Sequence, residues 1–409
     1  MHWDRCYFSF IDWEETLVRV VIINDDCSEK VYESSSLLDT ALKNRVVLVP
    51  SKSKEENAIE ILRAYLSEAK PILYDQENLS LKEKIESLGA ETFNDIDFLA
   101  MFFTSGSTGF PTGAFKSREN IETDMEALLL EFGNFHIEKV ISTVPFIHIY
   151  GFLAALLLPL KLDVDLVFKE HFLPHDLLEH AKPHHLVVTT PLYIKSLLRL
   201  DETKDLSETI FISSTGPLPA EIAKEFTDKF NTTLIQLFGS TETGSIAFKK
   251  QDDTFWSPFY SVETSLNEEG LLHIKSPFIS KTLWQERLVD TGGVIQSFDY
   301  ATIEKGKFQL IGRSSNIVKI AGKRYATVQI EEILEAMEGV EKALVHVKHN
   351  NAELKDEVLL VFLEVTRPIG VKELKSAIKQ KLGKINLPIE LKVVDKISTT
   401  LMGKKCMPL

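Results

Sequence analysis

Ten consecutive residues, Thr104-Ser105-Gly106-Ser107-Thr108-Gly109-Phe110-Pro111-Thr112-Gly113, crowd three glycines and five hydroxyl side chains directly behind an apolar run. Phe98 to Phe103 reads as a short buried strand and Glu119 to Glu131 as an amphipathic helix. The glycines are therefore predicted to lie in a strand-to-helix connection. Glycine lets successive backbone N–H groups turn toward one point, and the hydroxyls of Ser105, Ser107 and Thr108 add donors, so the loop suits phosphoryl oxygens. No Gly-Lys-Ser/Thr follows at Walker spacing, and the dinucleotide fingerprint is absent. Taken alone, such a turn is equally consistent with a loop fixed by hydroxyl-to-backbone bonds.

The runs on either side set the fold class. Leu17 to Ile23, Val46 to Val49, Pro71 to Tyr74, Val140 to Val144, Leu186 to Val188, Thr209 to Ile212 and Leu234 to Phe238 read as strands, separated by helical patterns such as Glu55 to Leu66. This rhythm predicts an α/β chain, with helix-covered sheets whose strand ends gather ligand-binding loops. Two further hydroxyl and glycine loops follow strands, at Ser213 to Pro219 and Phe238 to Gly244. Three such loops favour a shared nucleotide pocket more than any one does.

Beyond Gln251 to Thr254, the alternation around Leu272 and Ile274 and a hairpin across Tyr300 to Ile311, turning at Lys305-Gly306-Lys307, predict a smaller β-rich subdomain. The pattern breaks at Ile311 to Asn316. Val328 to Met337 and Val371 to Leu382 then read as helices, and Lys342 to Val347 and Glu357 to Glu364 as strands. The main boundary is placed near Ser315.

A chain of 409 residues exceeds one typical core, in keeping with two or more domains. Its formal net charge of -14 argues against a mainly electrostatic binder of nucleic acid or anionic membranes. Cys6, Cys27 and Cys406 form neither a disulfide framework nor a metal spacing, which fits a reducing, cytoplasmic compartment. Phe146 to Leu160 is the most apolar run, but His148, Gly151 and Pro159 punctuate it and it is short for a membrane span. It reads as a loop entering a buried helix. The acidic residues Asp4, Glu14 and Glu15 do not match a signal peptide.

The order of motifs resembles the adenylate-forming superfamily, which includes acyl-CoA synthetases, luciferases and peptide-synthetase adenylation domains. The matching stretches are TSGSTGFPTG (Thr104 to Gly113), PFIHIYG (Pro145 to Gly151), SSTGPLP (Ser213 to Pro219) and FGSTETG (Phe238 to Gly244). Downstream lie SFDYATI (Ser297 to Ile303), IGRSSNIVKIAGKRY (Ile311 to Tyr325), VQIEEIL (Val328 to Leu334) and STTLMGKK (Ser398 to Lys405). The resemblance runs from about Leu99 to the C-terminus, and the preceding part is short for the family. It implies an adenylation domain over residues 1–312, a hinge at 313–316 with Ser315 at its centre, and a mobile α+β lid domain over 317–409.

The implied chemistry joins ATP and a carboxylate to give acyl-adenylate and pyrophosphate, after which a thiol takes the acyl group. By resemblance, Thr104, Ser105, Gly106, Ser107, Thr108 and Gly109 contact phosphate, with Thr108 close to the reaction. Ser214, Gly216, Pro217, Phe238, Gly239 and Ser240 line the nucleotide. Thr241 contacts phosphate and Glu242 holds Mg²⁺, a role suited to a hard cation. Asp299 accepts from the ribose hydroxyls and Arg313 helps position AMP. Lys404 is the adenylation lysine, whose ammonium meets charge developing between carboxylate and α-phosphate.

The chain departs from the family pattern at several points. Thr112 stands where a lysine commonly precedes the glycine, and Lys116 is expected to supply the missing cation. Ser297-Phe298 replaces the usual Thr-Gly before the aspartate, and Ser315 replaces a charged hinge residue. His148, Tyr150 and Gly151 fall in the acyl-pocket segment, while a satisfied packed histidine fits the same position. Gly322 offers close backbone approach near the thiol tunnel. PFIHIYG lacks the aspartate of amino-acid-activating relatives, which favours an aryl or fatty acid. The acceptor is CoA or the phosphopantetheine of a separate carrier protein. The alternatives are a non-thiol acceptor and a degenerate nucleotide-binding or scaffold protein.

Overall fold

The computed structural model describes residues 18–104, 112–251, 253–313, 317–320, 323–349, 357–382, 388–398 and 405. The chain divides into two compact units: Met1–Thr254 with Pro258–Glu263 and Lys275–Ile295, and Phe255–Ser257 with Thr264–Ile274 and Gln296–Leu409.

A nine-stranded sheet organises the first unit. Six neighbouring strands run parallel, in the spatial order Thr233–Ser240, Ile210–Ser213, His185–Thr189, Lys139–Ser142, Asp165–Phe168 and Arg19–Ile23. Gly244–Lys250 and Glu29–Glu33 flank them as antiparallel strands. The parallel strands are covered on both faces, which is why their sequences are near-continuous apolar runs rather than alternating ones. Helices Pro174–His180, Pro191–Leu198 and Ala220–Phe230 bury Leu177, Ile194 and Phe226 in one cluster with Val187, Phe211 and Leu234. Beside Lys139–Ser142 the order of connection reverses, since Asp165–Phe168 lies on one side of it and His185–Thr189 on the other. The space beyond the carboxyl ends at such a reversal is where open α/β sheets bind ligands.

A second sheet in this unit runs Leu288–Asp290, Thr282–Trp284, Thr112–Lys116, Ala100–Thr104, Lys70–Tyr74 and Val46–Pro50. Ala100–Thr104 and Thr112–Lys116 pair antiparallel, with Thr104 opposite Thr112. This corrects the expected strand-to-helix connection, because residues 105–111 join two strands and the helix Arg118–Phe132 begins only afterwards. Gly113, Ala114 and Lys116 have weak strand preference, but pairing on both edges, with Ala100–Thr104 and with Thr282–Trp284, overrides it. The helix then opens on a capping box between Ser117 and Asn120.

The apolar run after Lys139–Ser142 does enter a buried helix, as its sequence implies. It is wound as a π-helix over Gly151–Leu157 and continues as an α-helix over Leu158–Leu162. Such winding is rare and is associated with functional sites. Among the described residues, no helix is long and apolar enough to cross a membrane.

The second unit holds the hairpin of Val294–Glu304 and Lys307–Arg313, which turns at Lys305 and Gly306. Both turn residues have positive φ, 50° and 78°, as a two-residue hairpin turn requires. A three-stranded sheet of Val340–His349, Glu357–Val365 and Ile389–Val393 carries the helices Thr327–Glu335 and Val371–Leu382, which bury Ile330, Leu334, Leu374 and Ile378 with Val345 and Val361.

Gly151 tests the packing at the start of the π-helix. A Cβ there would stand 2.0 Å from the Pro145 carbonyl oxygen and 2.9 Å from its carbon. Gly151→Ala is predicted to destabilise the protein by about 1–3 kcal/mol, the usual cost of overpacking, read from the urea midpoint. An unchanged midpoint would show that the Pro145 turn yields without cost.

Candidate active site

The segments singled out in the sequence at Pro145 to Gly151, Ser213 to Pro219 and Phe238 to Gly244 follow or close the carboxyl ends of three strands of the same parallel set, Lys139–Ser142, Ile210–Ser213 and Thr233–Ser240, with His185–Thr189 between the first two. Parallel register alone brings them to one edge of the sheet.

Tyr150 ties together the ends of two neighbouring strands, His185–Thr189 and Ile210–Ser213. Its hydroxyl is shared between the carbonyls of Thr189 at 3.0 Å and Ile212 at 2.9 Å, which close adjacent parallel strands. Burial pushes the phenol pKa well above its ordinary value. The side chain expected to orient an acid is thus engaged in holding the sheet edge. His148, two residues earlier, is half-buried, and burial lowers its pKa against an opposing pull from Asp75. The neutral imidazole is favoured, so His148 is suited to hydrogen bonding rather than to presenting a cation. In the next loop the Ser214 hydroxyl donates to the Leu237 carbonyl at 2.9 Å, and Thr215 adopts φ 81°, leaving Gly216 and Pro217 exposed.

The loop carrying Glu242 is fixed from several sides. The Ser240 N–H donates to the Thr243 hydroxyl at 2.9 Å, and the Thr243 N–H donates to the Ser240 hydroxyl at 3.2 Å. The strand pairing shifts register between Phe238 and Gly239, where a Cβ on Gly239 would fall 2.2 Å from the Gly244 carbonyl oxygen. Gly244 itself has φ +71°, and a Cβ there would lie 2.4 Å from an Asp124 carboxylate oxygen. Thr241 and Glu242, between these constraints, are partly exposed.

Lys116 is placed differently from the phosphate-reaching cation expected of it. Its side chain is only 1% exposed, and its ammonium donates to the carbonyls of Glu242 at 2.9 Å and Phe278 at 2.8 Å. Burial pulls its pKa down to about 8 against the attraction of Asp124 and Glu242. The cause is the strand that Thr112–Lys116 forms, which turns this position into the interior. Nearby, Asn120 donates to the carbonyls of Pro277 at 2.6 Å and Ile279 at 3.0 Å, while Asp124 accepts the Ser245 N–H at 3.0 Å. Burial pushes the Asp124 carboxyl up to about 6, opposed by its bond to Ser245 and by Lys116. Asn120 had a partial signature in its three-residue spacing from Ser117. Asp124 had none.

In the second unit, hairpin register sets Asp299 directly opposite Arg313, with an irregularity at the next pair. Asp299 is buried, and its N–H donates to the Ser297 hydroxyl at 3.0 Å, so the serine in place of the usual threonine supports the aspartate's backbone. Lys405 was not singled out by sequence. Its ammonium meets Glu331 at 2.9 Å, Glu335 at 2.6 Å and the Ala343 carbonyl at 2.7 Å. The same two carboxylates accept the N–H groups of Val345 and Ala343, both at 2.9 Å. Of the remaining expected residues, Ser105, Gly106, Ser107, Thr108, Gly109, Ser315, Gly322 and Lys404 lie outside the described residues, and Thr104 is described in its backbone alone.

The Asp124 environment predicts a pH effect on stability. Its folded pKa, about 6, lies above the ordinary value of 3.8, so its contribution is complete below 3.8 and is lost as pH rises through 6. Asp124→Asn removes that titration while keeping an acceptor for Ser245. Stability of the variant relative to the parent is therefore predicted to improve by up to roughly 3 kcal/mol between pH 4 and pH 7, measured by urea unfolding. A constant difference across that range would refute the buried-carboxyl assignment.

Comparison with known proteins places this geometry in context. A family model described as AMP-binding enzyme matches residues 15–271. A 2-succinylbenzoate–CoA ligase of Bacillus subtilis (strain 168) is 22% identical over 350 residues, covering 79% of this chain and 71% of its own length. A long-chain-fatty-acid–CoA ligase of the same organism is 23% identical over 337 residues, with 75% and 60% covered. Among solved structures, the Bacillus subtilis O-succinylbenzoate coenzyme A synthetase in complex with AMP matches with a TM-score of 0.76 at 16% identity, over 95% of this chain and 94% of its own. ATP-bound MatB from Rhodopseudomonas palustris matches with a TM-score of 0.75 at 17% identity, over 97% and 95%. These structural likenesses establish the fold.

Proposed function

Because the chain belongs to the AMP-binding enzyme family, the adenylate-forming ligases, we propose that it activates an aryl or fatty carboxylate with ATP and passes the acyl group to a thiol. The observation that carries this is the gathering of the Thr143–Gly151, Ser214–Pro217 and Thr241–Glu242 segments at the carboxyl ends of three strands of one parallel set, with His185–Thr189 between the first two. The relatives' names, a 2-succinylbenzoate–CoA ligase and a long-chain-fatty-acid–CoA ligase, support an organic acid and a thiol acceptor.

In the first step a carboxylate oxygen attacks the α-phosphorus of ATP, the bond from that phosphorus to the bridging oxygen breaks, and pyrophosphate leaves. In the second a thiolate attacks the acyl carbon and AMP departs. Ser105, Ser107, Thr108 and Gly109 donate to the phosphates, and Thr241 adds a hydroxyl. Glu242 supplies hard oxygen ligands that fit Mg²⁺, from a loop whose backbone is already fixed. When bound, Mg²⁺ offsets negative charge on the phosphates. Asp299 holds the ribose hydroxyls and Arg313 positions AMP, while Lys404 meets charge developing at the α-phosphate.

Neutral His148 orients the acid through a hydrogen bond, in keeping with its lowered pKa. Ser315 is the hinge about which the 317–409 domain turns between the two steps, and Gly322 lies at the thiol approach. The acceptor thiol belongs to CoA or to a carrier protein's phosphopantetheine.

ATP–pyrophosphate exchange across a panel of aryl and fatty acids tests the first step, and later addition of CoA or a holo-carrier protein tests the second. Lys404→Ala is predicted to lower exchange by about 10² to 10³-fold, the scale of losing one charge-stabilising donor, while consuming preformed acyl-adenylate at the parent rate. Absence of exchange with every acid, in folded protein with Mg²⁺ present, would refute the ligase assignment.

A further inference from the structure

We propose that Lys116 is a positioning residue for the divalent-cation ligand. Its buried ammonium fixes the backbone at Glu242 and so sets how tightly the cation is held. This rests on the assignment of Glu242 as that ligand.

Three consecutive carbonyls, those of Pro277, Phe278 and Ile279, accept from Asn120 or Lys116. The Ser280 N–H, at the end of this run, donates to the Glu242 carbonyl at 2.9 Å, and Lys116 donates to the same oxygen at 2.9 Å. The strand and helix that follow residues 105–111 therefore grip both the 277–280 segment and the Glu242 peptide. On the far side, Asp124 holds the Ser245 N–H, and Gly244 admits that carboxylate only because it lacks a Cβ. Ser240 and Thr243 close the near side. The Glu242 carbonyl is thus held directly, and the loop around it is bonded at the N–H groups of Ser240, Thr243 and Ser245.

Burying an ammonium is costly unless its donors are used. A purely structural solution would fill this space with an apolar side chain, leaving the Glu242 carbonyl to Ser280 alone. The lysine instead joins two segments at one atom next to the proposed ligand. Groups that orient a metal ligand commonly change metal affinity by ten- to a hundred-fold when removed.

The test uses Lys116→Met, which keeps the stem and removes the donors, and Lys116→Gln, which keeps a shorter donor if the first variant folds poorly. Mn²⁺ binding to the protein–ATP complex is followed by electron paramagnetic resonance. Amide hydrogen exchange is followed in the peptide spanning residues 239–246, and the Mg²⁺ requirement is read from pyrophosphate exchange. Lys204→Met serves as the stability control, since Lys204 caps the carbonyls of Leu178 and Ala181 at 2.7 Å each, at a helix end.

The expected result for the Lys116 variants is a Mn²⁺ dissociation constant about ten-fold higher, a matching rise in Mg²⁺ requirement, faster amide exchange at 239–246, and an unchanged KM for the acid. Lys204→Met should change none of these. Unaltered cation affinity in both Lys116 variants, with Glu242→Gln weakened, would overturn this inference and leave the Glu242 assignment standing. Unaltered affinity in Glu242→Gln would overturn that assignment and this inference with it.

Discussion

Parallel pairing in register is the constraint from which the first unit's chemistry follows. Each strand from Arg19–Ile23 to Thr233–Ser240 ends on the same side as its neighbour, so loops far apart in sequence emerge together. Such strands need burial on both faces, which helices supply, and crossovers long enough to hold those helices. Where a parallel strand stops and its loop begins, backbone groups leave the ladder and need other partners. Near that edge of the sheet Tyr150 and Ser214 donate to the carbonyls of Thr189, Ile212 and Leu237. Residues that a motif match would assign to substrate are partly spent on keeping that edge closed.

The same need explains a recurring use of lysine. Lys54 donates to the carbonyls of Thr143 and Lys169, Lys204 to those of Leu178, Glu179 and Ala181, and Lys229 to those of Leu198 and Leu200. Lys116 does likewise with Glu242 and Phe278. A lysine carries three donors on a flexible stem and meets the negative end of peptide dipoles, so it can satisfy several converging carbonyls at once. Although acidic residues outnumber basic ones, 60 to 46, these four ammoniums are directed at backbone rather than left in surface pairs. Surface pairs such as Lys224–Asp228 add little by comparison.

Much of the fold was legible because its elements are strongly periodic. The helix at Val371–Leu382 and the parallel strands other than Asp165–Phe168, which was not among those expected, lie close to where apolar spacing puts them. The hairpin turn at Lys305-Gly306 was legible from turn chemistry. Thr112–Lys116 was missed as a strand because its residues carry little intrinsic preference for one, and pairing partners at Ala100–Thr104 and Thr282–Trp284 are not visible locally. That single miss also misplaced Lys116: a lysine after a glycine-rich loop reads as exposed, whereas strand register made it interior. Asp124 was invisible for a related reason. On the helix pattern it is one more polar residue, and its meaning comes from the turn at Gly244, which lies far off in sequence.

Lys116 and Lys405 show how partner chemistry, rather than residue type, decides what a sequestered cation does. Burial pulls both ammoniums toward neutrality. Around Lys405 two carboxylates outweigh that pull and raise its pKa, so the charge is secure throughout the neutral range. Lys116 meets carbonyl dipoles, with Asp124 and Glu242 adding weaker attraction, and its pKa stays near 8. The first arrangement is an ion-pair anchor, joined to Lys404 by one peptide bond. The second depends on every hydrogen bond being made, because among the described residues no carboxylate bonds it directly. Fixing a loop through such a site ties the loop's geometry to complete satisfaction of the network, so a shift at any of Asn120, Ser280 or Gly244 reaches the Glu242 peptide through atoms already in contact.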